Sequence, residues 1–348
     1  MKTQNKENNI EMPSLLTVSP SPHLKAPITT SNLMLDVIIA LTPALVWGIY
    51  MAGYRAILIL FISLLSCILF ETVSCKLMGR KTTLRDLSAA VTGIILAMNL
   101  PVTVPLWMPI VGAFFAIVVA KQLFGGIGKN IVNPALAARV FLISWAGDMT
   151  RYASPSAPVN SLAVKLSEAD VVSSATPLVA LKNGTLPEAT LGDTFVGNIG
   201  GSIGEVSALF LIIGGLYLIV RRVISWHIPV TYIATVALLT YFFPQTNDAF
   251  RFMLYELTTG GLMLGAFFMA TDYVTSPITD KGKIIFGIGC GGLTVLIRYF
   301  GGYPEGVSFA ILIMNLLVWY IDLIGAPKRF GSVKVKKEKA PKKNKTEA

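Results

Sequence analysis

One stretch of this sequence brings together residue types that can do chemistry. Asp170, Ser173, Ser174, Ala175, Thr176 and Pro177 lie within eight positions, inside a polar segment rich in Ser, Thr, Pro and Gly that spans 147–200. Thr176 followed by Pro177 is a strong helix start. The threonine suits the N-cap, proline suits the first helical position, and Gly184 can end the turn. Free backbone N–H groups at such a start can seat a phosphate. From spacing alone, a plain capped loop helix is the more ordinary reading.

Other polar residues stand where apolar ones are expected. Lys129, Asn130 and Asn133 follow Phe124-Gly125-Gly126 and precede Pro134, which makes them polar groups at a broken helix. Asp36, Asp86, Glu205, Asp272 and Glu305 fall in or at the ends of apolar runs, where a charge is costly and often marks an ion pathway. Asp272 is the strongest ion-path candidate, whereas Asp86 and Glu305 read as interfacial. The other motifs carry less. Gly287-Ile288-Gly289-Cys290-Gly291-Gly292 lies inside an apolar run and predicts close helix packing rather than a dinucleotide loop. Gly125 to Lys129 is no phosphate loop, because Leu123 and Asn130 occupy positions that need Gly and Ser/Thr. His23 and His227 stand alone, and Cys67, Cys75 and Cys290 have no cluster-ligand spacing, so no metal site is expected.

These residues sit in a chain whose composition sets its class. Hydrophobic residues make up 53% of 348, charged residues only 14%, and the mean hydropathy is +0.65. That leaves too little polar surface for a soluble domain. The net charge of +10 is concentrated at the end, where residues 326–348 hold nine Lys/Arg against two Glu. Such a run predicts a basic disordered tail near anionic lipid rather than a nucleic-acid binder. The first 32 residues read as a polar cytoplasmic arm without a cleavable signal.

Apolar runs near 33–52, 55–75, 86–100, 104–123, 132–146, 201–222, 228–243, 257–272, 284–300 and 307–325 predict an all-α polytopic membrane protein of about ten helices. Basic residues gather in alternate connections: Lys76 to Arg85, Lys121 and Lys129, Arg221 and Arg222, Lys281 and Lys283, then the tail. The positive-inside rule puts these, and both termini, in the cytoplasm and the 147–200 segment outside. Pro101 and Phe124-Gly125-Gly126 recur as Pro277 and Phe300-Gly301-Gly302, and Gly48-Ile49-Tyr50 is echoed by Gly215-Leu216-Tyr217. The echoes predict two inverted five-helix repeats, 33–146 and 201–325, with sites near their interface.

Asp170-x-x-Ser173-Ser174-Ala175-Thr176 resembles the flavinylation sequence Asp-x-x-(Ser/Thr)-(Gly/Ser)-Ala-Thr. Further stretches agree: Ser21-Pro22-His23-Leu24, Met34-Leu35-Asp36-Val37, Ser88 to Gly93, Phe124 to Asn130, Asn133-Pro134-Ala135 and Met269-Ala270-Thr271-Asp272. Together they resemble the Rnf D-subunit family and its relative, the B subunits of sodium-translocating NADH:quinone reductases, over 21–326. The short arm before the first helix is nearer the former. The resemblance implies FMN esterified through its phosphate to Thr176 by a separate flavin transferase, and a second, non-covalent riboflavin. Lys129, Asn130 and Asn133 are candidate contacts for the second flavin, with Asp272 as a further one. It also implies electron flow between ferredoxin and NAD coupled to Na+ or H+ movement, with iron–sulfur and flavin subunits as partners in a plasma-membrane complex. Two rival classes remain: a passive channel or solute transporter, which has no use for Thr176, and a structural anchor for soluble redox subunits.

Overall fold

The computed structural model describes residues 29–80, 82–150, 152, 176–205 and 207–325, and among them the regular structure is entirely helical. Two long helices come first, α1 (Thr30–Ala52) and α2 (Tyr54–Leu77), divided only by Gly53 at φ 85°. A single 3-10 turn, Leu84–Asp86, precedes α3 (Ser88–Met98). Next come α4 (Met108–Phe114), continued by wide π turns over Phe115–Gln122, and α5 (Pro134–Leu142), continued by a 3-10 turn over Ile143–Trp145.

The polar segment contributes three short helices: α6 (Ala146–Met149), α7 (Pro177–Lys182) and α8 (Leu191–Val196). The second half holds α9 (Ala208–Val220), α10 (His227–Phe242), α11 (Ala249–Thr258) and α12 (Leu262–Leu264). After α12 come π turns over Gly265–Met269, then α13 (Asp280–Phe300) and α14 (Val307–Gly325).

Length decides what each helix can do in a bilayer. At about 1.5 Å per residue, a core about 30 Å thick needs roughly 20 residues. Four helices are long and apolar enough: α1, α2, α13 and α14. A fifth candidate is the pair formed by α11 and the 262–269 helix, bent by 60° at a short break. Each of the ten expected segments contains helix, but α3, α4, α5, α9 and α10 are shorter apolar helices, so among the described residues length and composition alone pick out four or five spans. The expected segment 257–272 covers only the end of α11 and the second arm of the bent pair, and Thr259-Gly260-Gly261 breaks it with Gly260 at φ 70°. The expected segment 201–222 becomes helical only at Ala208. Ahead of it, the backbone N–H groups of Ile203 and Gly204 bond the carbonyls of Leu100 and Met98, at 3.1 and 2.8 Å. That hook fastens the start of the second half to the end of α3.

Much of the apolar core lies between α1, α3, α9, α10, α13 and the π turns of 265–269, around Leu41, Met98, Tyr232, Phe267 and Phe286. The glycine run in α13 makes the closest of these contacts. A Cβ on Gly287 would collide with the Thr231 hydroxyl, and one on Gly291 would come within 2.6 Å of Thr235 Cβ. Here α10 and α13 meet almost backbone to backbone, as expected from the sequence. Large apolar side chains such as Phe61, Leu65 and Leu69 on α2 or Leu316 and Trp319 on α14 face outward, which suits lipid rather than water.

Candidate functional site

The sequence-predicted helix start is present. Pro177 opens α7, Thr176 is its N-cap at φ −63° and ψ 149°, and Gly184 follows the helix at φ 77°. Thr176 differs in one respect from the other Ser/Thr residues that cap the described α-helices. Thr29, Thr190, Ser207 and Thr279 each accept a hydrogen bond from a backbone N–H of the helix they start. The Thr176 side chain accepts none, although the residue is buried at 7% exposure. Instead it lines a cavity, called outer after the side that the charge pattern predicts for 147–200, with Asn99, Arg139, Tyr152, Tyr303 and Glu305. Leu178, two residues on, closes over Gly260 at the α11–α12 break, where a Cβ would meet its Cδ1 at 2.5 Å. Asp170, Ser173, Ser174 and Ala175 lie outside the described residues.

Arg139, on α5, organises this cavity. Its Nη1 donates to Asn99 Oδ1 at 2.5 Å and to Glu205, and its Nη2 donates to Glu305. The Tyr152 hydroxyl donates to the second oxygen of Glu305 at 3.0 Å. Arg139, Glu205 and Asn99 are all buried. Charged groups at such depth are stable only when paired and bonded. Sequence reasoning passed over Arg139 and Asn99. The available signal was an arginine inside an apolar helical run.

A second, inner cavity lies between α1, α3, the start of α5 and the segment after Met269. Asn130, Asn133, Asp272 and Lys121 line it, as do Phe267 and Phe268. The structure therefore gathers two of the three expected polar residues, and Asp272 joins them from the other half of the chain. Lys129 does not line the cavity; it is exposed, with its stem over Gly125.

The polar residues of the inner cavity differ in what they are free to do. Asn133 caps α5, its Oδ1 accepting from the N–H of Ala135 at 3.0 Å, while its Nδ2 donates to the Met269 carbonyl at 3.2 Å. Asn130 Oδ1 is buried with no partner among the described residues. A buried acceptor left bare costs about 1–3 kcal/mol, so it is the atom in this cavity most suited to a ligand N–H. Asp272 accepts only locally, from the Thr275 hydroxyl at 3.1 Å.

Lys121 had been grouped with the basic connections, but its side chain is buried at 2% exposure. The π turns carry it inward, where it donates to Glu71 at 2.7 Å and Ser88 at 2.8 Å. Asp36 is also paired, accepting from Arg221 at 3.3 Å and from the Tyr217 hydroxyl at 3.0 Å.

Residues 17–331 match the sequence family described as NQR2, RnfD, RnfE. This chain belongs to that family. Among similar members, the D subunit of the Na+-translocating ferredoxin:NAD+ oxidoreductase complex of Acetobacterium woodii is 45% identical, over 93% of this chain and 98% of the relative. The D subunit of the proton-translocating ferredoxin:NAD+ oxidoreductase complex of Clostridium ljungdahlii is 41% identical, over 92% and 97%. The D subunit of an ion-translocating oxidoreductase complex from Stutzerimonas stutzeri is 40% identical, over 87% and 92%. The NQR2, RnfD, RnfE match takes in both cavities and every helix from α1 to α14.

Proposed function

We propose that this chain is a membrane subunit of an Rnf-type redox-driven ion pump. It carries FMN esterified to Thr176 and relays electrons between ferredoxin and NAD, coupled to movement of Na+ or H+. The observation that carries the site is Thr176 itself: a buried residue at a helix cap, its side chain making no cap bond, lining the same cavity as Arg139 and Glu305. A phosphoester needs an oxygen not already committed to a cap. The lining suits a planar ring with polar edges, since Tyr152 and Tyr303 offer aromatic faces and Asn99 and Arg139 offer N–H donors. FMN would supply the electron-transfer chemistry, while the chain seats it, excludes water and fixes the charges around it.

The inner cavity is proposed as the seat of the second flavin, riboflavin. Asn130 Oδ1 would accept from its ring edge, and Phe267 and Phe268 line the apolar side. Asp272, at the same cavity, is the proposed ion-path residue. We further propose that the helices form two inverted five-helix repeats, 33–146 and 201–325, flanking the outer 147–200 segment. Both ends of the chain would then lie in the cytoplasm. The ferredoxin- and NAD-reacting centres come from iron–sulfur and flavin partner subunits, and a flavin transferase matures Thr176. The coupling ion is Na+ in one relative's name and the proton in another's, and the proposal holds for either.

The test is whether the chain carries one covalent FMN that disappears when Thr176 is replaced by alanine.

A further inference from the structure

Among the described residues, the acids and bases around the outer cavity do not pair one to one. Arg139 is shared by two carboxylates, Glu205 and Glu305, and no salt bridge joins another cation to this group among the described residues. Two nearby cations are already engaged. Arg298, which lies beside Gly260, pairs with Glu256 at 2.5 Å, and Lys182 on α7 is bonded to the Gly301 carbonyl. With all three members ionised, the group therefore carries one net negative charge.

Its members are not equally placed. Arg139 and Glu205 have side chains 4% and 2% exposed and make a balanced internal pair. Glu305 is 17% exposed and lines the cavity that Thr176 also lines. Its two carboxylate oxygens accept from Arg139 and from the Tyr152 hydroxyl. The surplus charge therefore sits on Glu305.

We propose that Glu305 sets the reduction potential of the flavin on Thr176, an inference that rests on the flavin reading above. Each electron delivered by a reduced centre of a partner subunit adds one negative charge to this cavity, until an oxidised centre takes it away. A fixed carboxylate beside the cavity opposes that added charge. In a buried site the opposition is poorly screened by water or salt. Glu305 thus holds the potential low and makes the bound group a stronger electron donor. Arg139 is the positioning residue: it fixes Glu305 in place but is neutralised by Glu205.

The experiment is a potentiometric titration of the covalently bound flavin in the whole membrane complex, with labelling checked by in-gel fluorescence. Glu305→Gln is close in shape and removes the charge, so its midpoint should rise. Glu305→Asp keeps the charge and should return the midpoint toward wild type. Glu205→Gln removes one charge farther from the cavity and should raise it less. Labelled Glu305→Gln and Glu205→Gln with unchanged midpoints would overturn the proposal and leave the flavin reading standing. Loss of the label from both variants, with the chain still assembled, would assign the triad to seating and overturn it too. An unlabelled wild type would remove the flavin reading and this inference with it.

Discussion

The Arg139 guanidinium donates to Asn99 Oδ1 at 2.5 Å, and that bond connects the surroundings of two cavities. Asn99 and Arg139 line the outer one, beside Thr176. The Asn99 amide in turn reaches Met269 Sδ at 3.9 Å, and the Met269 carbonyl accepts from Asn133, which lines the inner one. Helix α5 starts at the inner cavity with Asn133 and reaches the outer with Arg139, six residues or about 9 Å along its axis. One short helix thus fixes the spacing of both sites.

The two asparagines of the inner cavity should separate in experiment. Asn130→Leu removes an acceptor with no partner among the described residues, so it should deplete acid-extractable, non-covalent flavin in the purified complex without lowering thermal stability. Asn133→Ala removes a helix cap and the bond to Met269, and should cost stability by about 1 kcal/mol through the cap alone. Flavin extraction alongside thermal melts checks both.

Lys121 and Glu71 should behave as a unit. Lys121→Met leaves Glu71, which is fully buried, without its cation. Breaking a buried pair from one side costs about 3–5 kcal/mol. Lys121→Met combined with Glu71→Gln should recover much of that loss. Detergent melts of both variants read the difference, and equal destabilisation would show that the pair is not coupled.

Gly287→Ala should push α13 away from α10, because the new methyl meets the Thr231 hydroxyl and, at 3.0 Å, the Ile228 carbonyl. Overpacking of this kind costs about 1–3 kcal/mol. Thr231→Ala in the same chain removes the first collision and should restore part of the melting temperature.

The polar 147–200 segment carries its own acid-sensitive element. Asp193 and Thr190 form a capping box at α8, and the hydrogen bonds from Thr190 and Asn198 hold the Asp193 carboxyl below its ordinary range. A depressed carboxylate pKa adds stability above the unfolded value and loses it as pH falls through the folded value. Asp193→Asn should therefore loosen α8 at neutral pH, with the difference from wild type vanishing once the pH drops below the lowered Asp193 value. Proteolysis of the segment across that range measures it.

How much of this was legible in the sequence follows from the range of the interactions. The Thr176–Pro177–Gly184 helix could be read because caps and turns are local. The glycine run of α13 could be read because close packing demands small residues at one spacing. The interruption of the 257–272 segment could be read from its glycines, but helix α11 ahead of it was missed, because Arg251 and Glu256 dilute its apolar run. Lys121 was misplaced because a wide π turn, not composition, carries it inward. Arg139 escaped notice because its carboxylate partners are 66 and 166 residues away, and such pairing leaves no local pattern.

The central claim is that Thr176 carries FMN, and the mass of the chain tests it most directly. The protein is produced with a flavin transferase, alongside a flavinylated control, and compared with Thr176→Ala. The account predicts one added FMN and a fluorescent band in wild type, both absent from the variant. A wild-type chain of unmodified mass in cells that label the control, or a label that survives Thr176→Ala, would contradict it.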